Sequence, residues 1–143
     1  MKQRVMFTLL FSILAVGVFA QTKEDRGKSI SVPAAVKQAF EKQFPNATPK
    51  WEREGADYEA NFNFKRQEMS ANFNGEGRIS ETEQEITAKE LPTEILNYLE
   101  KNFKDEKITG AAKITKPDGI INYEAEVRHK DLMFDEAGKL LSK

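Results

Sequence analysis

Hydrophobic residues recur every fourth position in two stretches of this chain, and every second position in the stretches that follow. Val32, Val36, Phe40 and Phe44 form the first four-residue series; Leu91, Ile95, Leu99 and Phe103 form the second. Each spacing lines one apolar stripe along a helix that faces a core. Pro33 and Pro92 fit the first helical position, where a missing N–H costs nothing and φ is already set. Pro45 ends the first helix, and Lys101 and Lys104 suit the C-terminal end of the second. Behind the first helix, Tyr58, Ala60, Phe62 and Phe64 alternate with Glu59, Asn61, Asn63 and Lys65. Behind the second, Ile121, Tyr123, Ala125 and Val127 alternate with Asn122, Glu124, Glu126 and Arg128. Clean alternation predicts antiparallel strands with one face buried and one wet.

The two halves are copies. Residues 32–44 align without gaps on residues 91–103 at an offset of 59, sharing Pro, Glu, Lys and Phe at four positions. Tyr58-Glu59-Ala60 matches Tyr123-Glu124-Ala125 at an offset of 65, and Phe73…Gly77-Arg78-Ile79 matches Phe134…Gly138-Lys139-Leu140 at 61. Three blocks in one order define an internal repeat, with six extra residues in the second copy before Tyr123. Turn signals at 54–57, 74–77, 117–119 and 135–138 separate about four strands per copy. The expected spans are 49–54, 57–66, 68–74 and 77–86, then 108–116, 120–129, 131–135 and 138–142. The fold class is α+β: two tandem α-β-β-β-β repeats (30–88 and 89–143) form one antiparallel sheet of about eight strands with two helices on one face. A half of about 55 residues is marginal alone, so one shared core is expected.

Residues 1–20 read as an address. Lys2 and Arg4 precede an apolar run from Val5 to Phe19, and Gly17-Val18-Phe19-Ala20 supplies a cleavage pattern before Gln21. The run is shorter than the roughly 20 residues a membrane anchor needs. A secretory signal peptide cleaved after Ala20 is expected, then a flexible leader over 21–29, and a periplasmic or extracellular location. No membrane association is expected after cleavage.

Lys and Arg number 22 against 23 Asp and Glu, with no Cys and one His. Near-neutral charge excludes nucleic-acid binding by bulk electrostatics. The Cys and His counts exclude thiolate catalysis, disulfide scaffolding and Cys/His zinc sites. His129 reads as a surface residue at a turn, without the partners of a catalytic triad. Glu81, Glu83 and Glu85 share one face of a strand; a cation site or acid pair is conceivable there, but a charged edge strand that blocks aggregation explains them with less. Asp135 and Glu136 lack the full spacing of a calcium loop, and Asn74-Gly75-Glu76-Gly77 is a hairpin turn with no helix behind it. Trp51 reads as core rather than interface.

The hydrophobic-Pro helix starts (Val32-Pro33, Leu91-Pro92), Phe44-Pro45, Trp51 ahead of Tyr58-Glu59-Ala60, and the ends Phe73…Gly77-Arg78 and Phe134-Asp135…Gly138-Lys139 carry a family resemblance. Over about residues 30–143 the chain resembles the beta-lactamase-inhibitor-like, PepSY-like family of small secreted bacterial proteins. The resemblance implies a fold like that of beta-lactamase inhibitor protein and no catalytic residue set. The second copy departs by lacking the Trp and by its six-residue lengthening.

The wet face is the candidate site. Glu59, Asn61, Asn63, Glu124, Glu126 and Arg128 are expected to project from two matched central strands, away from the helices, as a platform for another protein. A merely solvated face competes, since strong interfaces have aromatic or Arg-rich centres. The reading is a secreted, non-enzymatic binding module, an inhibitor or modulator of an envelope or secreted protein, without cofactor or metal. The alternative is a carrier of a small ligand or cation between helices and sheet; a hydrolase using acidic residues comes third.

Overall fold

Val36 and Phe40 in the first half, and Ile95 and Leu99 in the second, are buried against a single sheet, as their four-residue spacing requires. The computed structural model describes residues 30–142; the expected signal peptide and leader lie outside them. The elements run α1 (Ala34–Gln43), β1 (Lys50–Glu54), β2 (Asp57–Phe64), β3 (Gln67–Phe73), β4 (Ile79–Glu85), a 3-10 turn (Ala88–Glu90), α2 (Thr93–Asn102), β5 (Ile108–Thr115), β6 (Ile121–Val127), β7 (Lys130–Asp135) and β8 (Leu140–Ser142). The strands form one sheet in chain order, with every neighbouring pair antiparallel.

Both prolines stand one residue earlier than expected. Pro33 and Pro92 are the N-cap residues, with extended ψ of 148° and 145°, and the helices begin at Ala34 and Thr93. Their carbonyls still accept the first helical hydrogen bonds, from Lys37 N–H and Leu96 N–H.

Each helix lies over a pair of alanines that face each other across two strands: Ala60 opposite Ala71, and Ala111 opposite Ala125. All four are buried, and their small side chains leave room for the helix above. The rings of Phe40, Phe44 and Phe62 fill the rest of the first layer, with Phe40 and Phe62 edge to face at 4.8 Å. Tyr98 and Phe134 do the same in the second, at 5.3 Å.

The apolar side chains divide into two clusters, one per helix, rather than the single shared core expected from size. The division falls where β4 meets β5. There Thr82 pairs with Thr115 and Gln84 with Lys113 on the helix side, so the seam between the clusters is polar. On the helix side backbone hydrogen bonding joins the halves, and on the opposite face Lys116 pairs with Glu81 across the same seam.

The extra length of the second copy lies in β5 and its turn. β1 has five residues and β5 eight. β1 is an edge strand paired with β2, whereas β5 pairs with both β4 and β6 and needs the greater span.

Candidate functional site

Alternation along the strands sends every second side chain to the face away from the helices. Register aligns Glu52, Glu59, Asn72 and Glu81 across β1–β4. A neighbouring row aligns Glu85, Ala112, Glu124 and Met133 across β4–β7, and Ser70, Glu83, Ile114 and Asn122 lie between them. This open face is acidic, and its register opposes like charges: Glu52 faces Glu59, and Glu126 faces Asp131. Directly opposed like charges on a sheet are destabilising.

At its centre the face is not solvated. Ile114 and Glu124 are each only 1% exposed, and Asn72 is 9% exposed. Burial pushes the Glu83 carboxyl up to about 8, with the carboxylates of Glu124, Glu59, Glu81 and Asp131 adding to the rise. Glu124 is pushed up to about 7, again chiefly by burial and then by Asp131, Glu126 and Glu81. Glu59 is raised by burial, then by Glu54 and Glu52. The Asn72 amide donates to Glu81 Oε1 at 3.4 Å, leaving Asn72 Oδ1 without a donor; Glu124 Oε1 also has none. A buried polar atom left unpaired costs on the order of 1–3 kcal/mol.

The six candidate residues do not form one patch. Glu59, Asn61 and Asn63 lie along the open face of β2, and Glu124 and Glu126 along that of β6. These strands are second and sixth in the sheet rather than central, so roughly 19 Å separates them at about 4.8 Å per strand. Arg128 leaves the face altogether. It and His129 form a two-residue turn between β6 and β7, both at positive φ (56° and 59°), and Arg128 pairs with Glu106 at 2.5 Å.

The charged edge strand expected at Glu81, Glu83 and Glu85 is also corrected. β4 is a central strand, paired on both sides, and Glu83 is half-buried there. The three-carboxylate spacing was the visible signal; the pairing of β4 with β5 that buries Glu83 near Glu124 was not. Among the described residues no group of three acidic or His side chains is arranged to hold a metal ion.

The remaining candidates are structural. Trp51 packs on Phe40 and Phe73, at 5.5 and 5.9 Å between ring centroids. The His129 side chain is 94% exposed at its turn. Asp135 Oδ1 accepts the Lys139 N–H at 2.8 Å, as Asn74 Oδ1 accepts the Arg78 N–H at 2.9 Å, so both close a hairpin. A hollow of about 130 Å³ beside α1, lined by Lys37, Phe40, Glu41, Ala47, Pro49 and Trp51, is small for an organic ligand.

The protein is thus an eight-stranded antiparallel meander carrying two helices on one face and an acidic, partly desolvated surface on the other. The family model described as beta-lactamase-inhibitor-like, PepSY-like matches residues 21–76 and 56–142, and the chain belongs to that family. It is similar to a BLIP-like protein from Bacteroides fragilis, at 25% identity and a TM-score of 0.66 over 84% of this chain and 89% of that one. A periplasmic protein from Bacteroides eggerthii shares the fold at 19% identity and a TM-score of 0.68, over 78% of this chain and 87% of that one. A DUF2874 family protein from Bacteroides ovatus does so at 20% identity and 0.66, over 80% and 87%. No curated protein matches the sequence. No helix among the described residues is long and apolar enough to cross a membrane.

Proposed function

We propose that this protein is a secreted, non-enzymatic binding module that docks a partner protein of the envelope or secreted fraction on the open face of its sheet, as an inhibitor or modulator. The observation that carries this reading is the composition of that face. Opposed carboxylates, a buried Glu124 and an unpaired Asn72 Oδ1 all cost folding free energy, and no packing of the helices requires them. Local rules broken together on one surface mark a place kept for binding. The BLIP-like neighbour and the family description support the same class. Membership of a fold does not name a target.

The test is affinity capture with the immobilised protein, using envelope and secreted fractions of the source cell and mass spectrometry. A Glu59→Lys variant places a cation opposite Glu52, which the sheet tolerates, and reverses charge on the face. Capture of a reproducible partner that this variant loses supports the reading; a folded variant that captures the same partner at unchanged yield rejects the face. The N-terminal residue of the secreted form, expected to be Gln21, tests the export route.

A further inference from the structure

The polar groups at the centre of the open face share one deficiency. Asn72 Oδ1 and Glu124 Oε1 are both hydrogen-bond acceptors, both buried, and both without a donor. They are separate, on β3 and β6 and two rows apart along the sheet, and Glu124 is the one whose carboxylate acts on Glu83. No group donates a hydrogen bond to either oxygen. Its lysines, Lys50 and Lys116, are already engaged by Glu52 and Glu81. Neutralising a face that opposes Glu52 to Glu59 and Glu126 to Asp131 calls for positive charge, and filling the orphaned Glu124 acceptor calls for an N–H donor.

We propose that the part of the open face around Glu83 and Glu124 is a receptor for a cationic side chain, an arginine, presented by the partner protein. The guanidinium offers five donors in a planar fork and is more weakly hydrated than an ammonium, so it enters a desolvated acidic site at lower cost than lysine. A metal ion is the poorer occupant, since no three acidic or His side chains among the described residues converge to hold one. Ile114, buried at the same level of the sheet, supplies an apolar floor for the planar group. The groups facing Glu83 are Glu59 from β2, Glu81 on its own strand with its partner Lys116, Glu124 from β6 and Asp131 from β7. With Glu83 and Glu124 pushed up to about 8 and about 7, a cation entering near neutral pH expels protons.

This inference rests on the docking face proposed above and specifies what that face recognises. The test is calorimetric titration of the protein with an octa-arginine peptide, with an octa-citrulline peptide of the same shape but no charge, and with Ca²⁺ alone. Expected are binding of the arginine peptide, proton release in buffers of differing ionisation enthalpy, tighter binding at about pH 8.5 than at about pH 6, and no binding of the citrulline peptide. A Glu83→Gln/Glu124→Gln double variant, whose thermal midpoint verifies folding, should weaken the arginine peptide by about tenfold or more. Unchanged peptide affinity in that variant overturns the receptor, as does equal binding of citrulline. Stoichiometric Ca²⁺ uptake without peptide binding overturns it in favour of a metal site. Partner capture lost in Glu59→Lys but kept in the double variant removes the arginine receptor and leaves the docking face standing; capture kept in both removes the docking face.

Discussion

Gly77 lies so close to the first turn of α1 that a Cβ on it would stand 2.7 Å from the carbonyl oxygen of Ala35, and the second copy repeats the contact between Gly138 and Glu94. Both glycines sit at positive φ, +83° and +81°, in the turns that close β3–β4 and β7–β8. Gly77→Ala and Gly138→Ala should therefore each destabilise the fold. The backbone conformation costs roughly 1–2 kcal/mol, and the shift forced on the helix adds roughly 1–3 kcal/mol. Gly119 is the control: its φ is +85° but nothing lies within 4 Å of an added Cβ, so Gly119→Ala should show the backbone cost alone. Urea unfolding of the three variants measures the difference, and equal losses would reject the helix contact as its source.

The two apolar clusters predict additive losses. Phe40→Ala should cost about 3–5 kcal/mol and Ile95→Ala about 2–5 kcal/mol, since both side chains are buried beneath their helices. Because they belong to different clusters separated by the Thr82–Thr115 and Gln84–Lys113 seam, the double variant should equal their sum within about 0.5 kcal/mol. A larger coupling in chemical denaturation would show that the two apolar clusters pack as one.

Stability should fall as pH rises from about 4.5 to about 8. The unfolded chain releases the Glu83 and Glu124 protons near 4.5, whereas the folded chain holds them until about 8 and about 7. Within that window the folded state binds more protons, so each increment of pH favours unfolding, by roughly 1.4 kcal/mol at most per pH unit and group. The contribution is complete below the lower value and lost above the upper. Glu83→Gln, which cannot ionise, should flatten the slope of the thermal midpoint against pH. A slope as steep as that of the unmodified protein would show that Glu83 is not the titrating group.

Asp135 and Asn74 should act through one turn hydrogen bond each. Asp135→Ala removes the acceptor for the Lys139 N–H and should cost about 1 kcal/mol, while Asp135→Asn keeps an oxygen there, as Asn74 does in the first copy, and should cost less. Thermal unfolding of the pair distinguishes them; an equal loss would mean that the charge of Asp135, not its acceptor, sustains the turn.

How much of this was legible depends on the range of the interaction. The helices, the strand order within each copy and the buried residues follow from periods of about four and of two, which are local properties of the chain. The turns carrying Gly or Asn were equally plain. The turns at Lys65-Arg66 and Arg128-His129 were not, because both place positive φ on residues without a turn signature, and the alternation of β6 runs on through Arg128 in the sequence. The candidate site was half visible. The alternation of Glu59-Asn61-Asn63 and of Glu124-Glu126, and the spacing Glu81-Glu83-Glu85, mark an acidic face, but no single strand shows which of those carboxylates is withdrawn from water.

The sequence by itself determined two copies of one helix-and-four-strand unit, the side of each strand that meets its helix, and the acidity of the other side. Only the tertiary structure decided that β4 meets β5 in mid-sheet, that the polar pairs at that seam split the core in two, and that Glu83 and Glu124 approach across β5, where Ile114 pairs with Glu83 and Ala112 with Glu124. The physical reason is that burial of a charged side chain is set by neighbours on other strands. β4 and β5 are joined through a whole helix, so their register depends on how two distant segments pack and not on any pattern within either.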